Sequence, residues 1–166
     1  MQQYHYQNNI LNLKVKKSPF LVRVVMFGLA FSFFLFPVLG AIFGIAEGSG
    51  LHIGYFIAIG VFSIMGFYLL RVSLWNTYGE ETIQILADKI IYEANYGWFK
   101  DGKKEFDIKI PEFSLKTVGY EEDNEGVLLV VSGNVEIESV VKIPMFQLEK
   151  LILTLQNVYI EVSDSL

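Results

Sequence analysis

Cysteine is absent from the 166 residues, and histidine occurs only as His5 and His52. Disulfides, thiolate nucleophiles, cysteine-based zinc sites and iron–sulfur clusters are thereby excluded, and a histidine-rich metal site with them. Charge is missing over long stretches. No charged side chain lies between Val24 and Ala46, or between Leu51 and Leu70. Charged residues make up 19% of the chain against 52% hydrophobic, a balance that favours a membrane-associated class over an ordinary soluble domain. Catalytic signatures are missing too: no glycine-rich phosphate loop, no GxSxG, no HExxH. The sequence therefore reads as a non-enzymatic protein, with no cofactor and no metal.

What is present begins with two long apolar runs. Crossing about 30 Å of hydrocarbon takes roughly 20 apolar residues in a helix. Residues 20–46 and 51–71 each meet that length, and Glu47-Gly48-Ser49-Gly50 between them has the chemistry of a tight, hydrated turn. One helix through this island would be far too long and would strand Glu47 in the lipid. Residues 18–75 thus predict a transmembrane helical hairpin. A signal peptide cleaved near Ala46 is the rival reading; its apolar region would exceed the usual 7–15 residues, and a second span follows at once.

Lys14, Lys16, Lys17, Arg23 and Arg71 sit toward the chain ends of the hairpin and none in its turn, so the positive-inside rule predicts that both termini are cytoplasmic. The hydrocarbon-depth residues hold no acid or base, which argues against an ion pathway or proton relay. Gly40 and Gly44 form a GxxxG pair, and Gly54 and Ala58 give the second helix a small-residue side. Close backbone approach is what such residues allow, either between the two arms, the favoured reading, or between copies of the chain.

From residue 80 to 165 the rhythm changes to alternation. In Lys104–Ile110, Phe106, Ile108 and Ile110 are expected on one face of a strand, with Glu105, Asp107 and Lys109 opposite. Val135 and Ile137 alternate with Glu136 and Glu138 in the same way. Further strands are expected over Thr82–Ala87, Ile90–Tyr96, Phe113–Tyr120 and Val127–Ser132. Lys100–Lys103, Asp123–Gly126 and Gly133-Asn134 are expected as turns. Leu148, Leu151, Ile152, Leu155, Val158 and Tyr159 recur at helical spacing after Pro144 and predict a closing amphipathic helix. The expected fold is α+β: a curved antiparallel sheet or partly open barrel of about six or seven strands, capped by that helix. Residues 1–17 form a cytoplasmic segment whose Ile10–Val15 stretch is strand-like.

This layout of a two-helix hairpin, "YGEETIQI", a short-strand meander and "VVKIPMFQLEKLILTL" resembles small membrane-anchored bacterial proteins with a pleckstrin-homology-like domain. The resemblance implies a fold and an inner-membrane location. It also suggests Lys100, Lys103 and Lys104 as candidates for a phosphate-gripping basic hairpin, since they lie beside the aromatic residues Trp98 and Phe99. Electrostatics opposes that role. Residues 72–166 carry eight lysines against seventeen acids, about −9 in all, and such a domain is repelled by an anionic leaflet. Nucleic acid is excluded on the same ground. The expected partners are the bilayer itself and a protein or a second copy, met through Glu136 and Glu138 or through an exposed sheet edge. A self-protection protein against a membrane-acting toxin, and a lipid or envelope-stress sensor, stand as alternatives.

Overall fold

A computed structural model describes residues 2–163; Met1 and the C-terminal end of the expected 80–165 domain, residues 164–165, lie outside it. The chain forms two compact units, Lys17–Thr77 and Met1–Lys16 with Tyr78–Leu166.

The first unit is helical. Helix α1 spans Phe20–Ala46 and α2 spans Ile53–Tyr78, so both are long and apolar enough to cross a membrane. Helix α1 runs on through Pro37. The connector is 47–52, two residues longer than the sequence suggests, and α2 continues seven residues beyond Arg71. Gly48 and Gly50 take φ of 88° and 70° there, a left-handed backbone that costs glycine little. Near the other end the Ser18 N–H donates to the Asn76 carbonyl at 3.3 Å, which holds the two chain ends of the hairpin together. Side chains of this unit remain largely uncovered: Phe20, Phe36, Phe43, Ile53 and Ile64 are all exposed. Exposed apolar surface on that scale is what lipid, rather than water, accommodates.

The second unit holds nine strands among the described residues, in two antiparallel sheets that do not close on each other. Expectation and structure differ here, in number and in arrangement. The first sheet has the order β1 (Tyr4–Gln7), β2 (Ile10–Lys14), β3 (Glu80–Ile85), β4 (Lys89–Asn95) and β5 (Lys100–Asp107). The second joins β6 (Glu112–Thr117), β7 (Glu125–Ser132) and β8 (Val135–Glu138), with β9 (Ile143–Pro144) also on β7. The extra strands are β9, a two-residue step ahead of the closing helix, and the pair β1 and β2. Residues 4–14 form a hairpin about Asn8-Asn9, whose φ of 51° and 61° suit a type I′ turn. Its second strand then pairs with β3 across the helical insertion, Lys14 opposite Glu80 and Ile10 opposite Gln84.

Two further corrections concern β5. Lys100–Lys103 is not a turn. The hairpin reverses at residues 96–99, where the Tyr96 N–H donates to the Phe99 carbonyl and Gly97 adopts φ 86°. The Asp-Gly step lies instead within β5 as a bulge: Tyr92 faces Lys104 and Ala94 faces Asp101, so the β5 side holds one residue more. Gly102 takes the left-handed φ of 66° that such a bulge needs. The expected strand also stops short. It ends at Asp107, Ile108 is buried, and Ile110 is 73% exposed rather than inward, because the chain turns ahead of Pro111.

The core gathers Leu11, Leu13, Ile83 and Ile90 from the first sheet with Leu128, Val130 and Ile143 from the second. Helix α3, Met145–Ser163, adds Leu148, Leu151 and Leu155 and packs on β6, β7 and β9. Burying each of these aliphatic side chains contributes about 1.5–3 kcal/mol.

Candidate functional site

The strand alternation fixes what each sheet edge can offer. Ser132 and Val135 flank the two-residue Gly133-Asn134 turn and so form a hydrogen-bonded pair. Counting back along β7, Val131, Leu129 and Val127 bond β6 through Glu112, Ser114 and Lys116. The intervening residues of β6, Phe113, Leu115 and Thr117, therefore turn their N–H and carbonyl groups toward the open edge. A bond to α3 agrees with this: the Gln156 amide donates to the Phe113 carbonyl at 3.4 Å. Along this edge runs an open groove of about 400 Å³ between β6 and α3, lined by Pro111, Glu112, Phe113, Ser114, Gln156 and Tyr159. Tyr159 stands edge-on to Phe113 and donates its hydroxyl to the Lys109 carbonyl at 3.0 Å, fixing the groove wall.

Deeper in, a cavity of about 30 Å³ lies between Tyr6, Ile85, Phe113 and Leu155. That volume suits about one water and is an order of magnitude below a ligand site. Among the described residues no three His, Asp or Glu side chains come together as metal ligands.

The sequence-derived lysines do not form one patch. Opposite β4, Lys100 faces Asn95 and bonds Glu93 at 2.7 Å, while Lys103 pairs with Glu105 at 3.2 Å. Lys104 faces Tyr92, so the bulge sends it to the other face of the sheet. Trp98 is exposed at the 96–99 turn, and Phe99 stacks on Tyr96 with ring centroids 4.9 Å apart. Glu136 and Glu138 do point outward together from β8. Glu138 accepts from Lys116 at 2.7 Å across the sheet, and that bond holds the Lys116 ammonium above its ordinary pKa.

In the helical unit, an added Cβ at Gly44 would meet the Tyr55 hydroxyl, and one at Gly66 would come within 2.8 Å of the Phe34 ring. These glycines serve contact between the two arms. Gly40 and Gly54 have open space around them, and Ala58 is half-buried.

One polar centre escaped the sequence reading. Glu81 is fully buried and uses both carboxylate oxygens. Oε1 accepts from the Tyr92 hydroxyl at 2.6 Å and the Val140 N–H at 2.8 Å, and Oε2 from the Val141 N–H at 2.9 Å. Burial, and then donation to Glu81, pushes the Tyr92 hydroxyl pKa well above its ordinary value. The signal was present: Glu81 shares the parity of Ile83 and Ile85 in "EETIQI". Both carboxylate oxygens are engaged, and the bonds to the Val140 and Val141 N–H groups clamp the β8–β9 loop to the first sheet. The chain matches no family model, no curated protein and no solved structure.

Proposed function

We propose that this chain is a membrane-anchored, non-enzymatic binding protein: the two helices cross the bacterial inner membrane and hold a pleckstrin-homology-like module at its cytoplasmic face. The module receives an extended, basic and apolar segment of a partner protein along β6. The observation that carries this reading is the β6 edge itself, with outward backbone groups at Leu115 and Thr117 beside a groove walled by Phe113 and Tyr159. An added strand takes its affinity from main-chain bonds and its selectivity from flanking pockets. Glu112 in the groove, and seventeen acids in residues 72–166, favour a basic occupant. Cytoplasmic placement is supported by the cations at the hairpin's chain ends and by the pairing of β2 with β3, which returns the chain to the side it left. Headgroup binding is less favoured, because Lys100 and Lys103 are occupied by Glu93 and Glu105.

The test uses the full chain in nanodiscs and fluorescent peptides of alternating valine and lysine, with valine–glutamate peptides as the control. The basic peptide should bind and the acidic one should not. Leu115→Pro removes an N–H that faces the open edge of β6 while sparing the β7 ladder, and should weaken binding about tenfold. Equal binding of both peptides, or binding insensitive to Leu115→Pro, would contradict the reading.

A further inference from the structure

Sheet edges are ordinarily protected by charge, proline, bulges or brevity. Three of the edges in this unit carry charge, which at β6 disfavours a second acidic copy while leaving that edge to a basic segment. Strand β5 carries Lys100, Asp101, Lys103, Lys104, Glu105 and Asp107 and is bulged; β6 carries Glu112 and Lys116; β8 carries Glu136 and Glu138. Strand β1, Tyr-His-Tyr-Gln, carries no Asp, Glu, Lys, Arg or Pro, and residues 2–13 as a whole hold no Asp, Glu, Lys or Arg. It lies at the end of the first sheet and pairs only with β2 among the described strands.

The two-residue Asn8-Asn9 turn sets which groups β1 presents. Gln7 and Ile10 close that turn as a hydrogen-bonded pair, so His5 with Asn12 is the next such pair. The Lys14 N–H bond to the Gln3 carbonyl at 2.7 Å falls in the same series. Tyr4 and Tyr6 therefore turn both N–H and carbonyl away from β2, into the open edge. Their rings face inward and are half-buried, while His5 and Gln7 are exposed on the other face.

We propose that β1 pairs antiparallel with β1 of a second copy of this chain, Tyr4 opposite Tyr6 of the other copy and His5 opposite His5. This register satisfies both tyrosines' outward groups in two reciprocal hydrogen-bonded pairs, and joins two five-stranded sheets into one. An antiparallel pair of identical strands is self-complementary, as a two-fold dimer requires. Charge selects the edge. Residues 72–166 carry about −9 in all and repel their own copy, whereas the β1 edge bears no acid. Four residues are a small contact, and its persistence rests on the membrane reading above: two chains held in one bilayer meet at raised effective concentration.

The absence of native cysteine makes the test clean. In this register His5 lies opposite its own copy as a non-hydrogen-bonded pair, with Cα atoms about 4.5 Å apart, inside disulfide range. The two Gln7 positions would be separated by about 14 Å along the strands. Membranes holding the full chain as His5→Cys or Gln7→Cys are oxidised, and the pelleted fraction of each is measured. The expected result is a disulfide dimer about tenfold stronger for His5→Cys than for Gln7→Cys. In a second experiment with two affinity tags, His5→Glu and His5→Lys should each lose self-association and regain it when co-expressed. Equal crosslinking at both positions, no dimer at His5, or a cysteine adduct to a different protein in its place would overturn the proposal. A chain that fails to pellet with membranes would instead count against the anchoring reading, and is seen separately.

Discussion

Among single residues, Glu81 has the largest predicted effect. Its carboxylate accepts three hydrogen bonds in a fully buried setting. Glu81→Ala leaves the Val140 and Val141 N–H groups and the Tyr92 hydroxyl without an acceptor, and should cost about 3–5 kcal/mol in chemical unfolding of the detergent-solubilised chain. Tyr92→Phe removes one donor and should cost about 1–3 kcal/mol. The pair also sets an alkaline limit. Burial first, then the bond to Glu81, keeps the Tyr92 proton on in the folded state above the ordinary value of 10.0. The unfolded chain releases that proton from about pH 10, so this stabilisation is fully present below that pH and is lost as pH rises further. A plot of melting temperature against pH should fall on its alkaline limb, and Tyr92→Phe should flatten the fall. An unchanged alkaline limb would remove Tyr92 as its cause.

Elements show where the sequence was legible and where it was not. The helices α1, α2 and α3 can be read directly, because a long apolar run and a 3.6-residue period are both local signals. Leu151→Ala, in the buried face of α3, should accordingly cost about 2–5 kcal/mol in the same unfolding assay. Turn chemistry was more deceptive. The Asp101-Gly102 step looks like a hairpin turn, yet both a turn and a bulge use a left-handed glycine, and composition does not separate them. The real turn at residues 96–99 depends on Gly97, whose added Cβ would come within 2.7 Å of Tyr78 and would sit at φ 86°. Gly97→Ala should lower the melting temperature by several degrees, corresponding to about 1–3 kcal/mol. The β1–β2 hairpin was half visible. Ile10–Val15 read as strand-like, but the pairing of β2 with β3 spans the whole helical insertion, and local pattern carries no information about so distant a partner. The same holds for the site. The aromatic and basic residues near 98–104 stood out by composition, whereas the β6 groove depends on which backbone groups face outward, a property of register.

At the scale of the whole molecule, one topological fact links the two compact units. The chain leaves the first sheet at β2, forms two apolar helices, and returns to pair β3 with β2. Whatever the helices cross, they must cross an even number of times. In the arrangement proposed above, the bilayer is the solvent of α1 and α2, which are long and apolar enough to cross it, and the acidic β-unit stays in water on the side of the cations. The most direct test of this claim is single-cysteine labelling of the otherwise cysteine-free chain in intact bacterial cells with a membrane-impermeant maleimide. The account predicts that Ser49→Cys, in the connector, is labelled in intact cells, while Ser114→Cys, on β6, is labelled only after the cells are opened. Labelling of Ser114→Cys in intact cells, with Ser49→Cys protected, would contradict it.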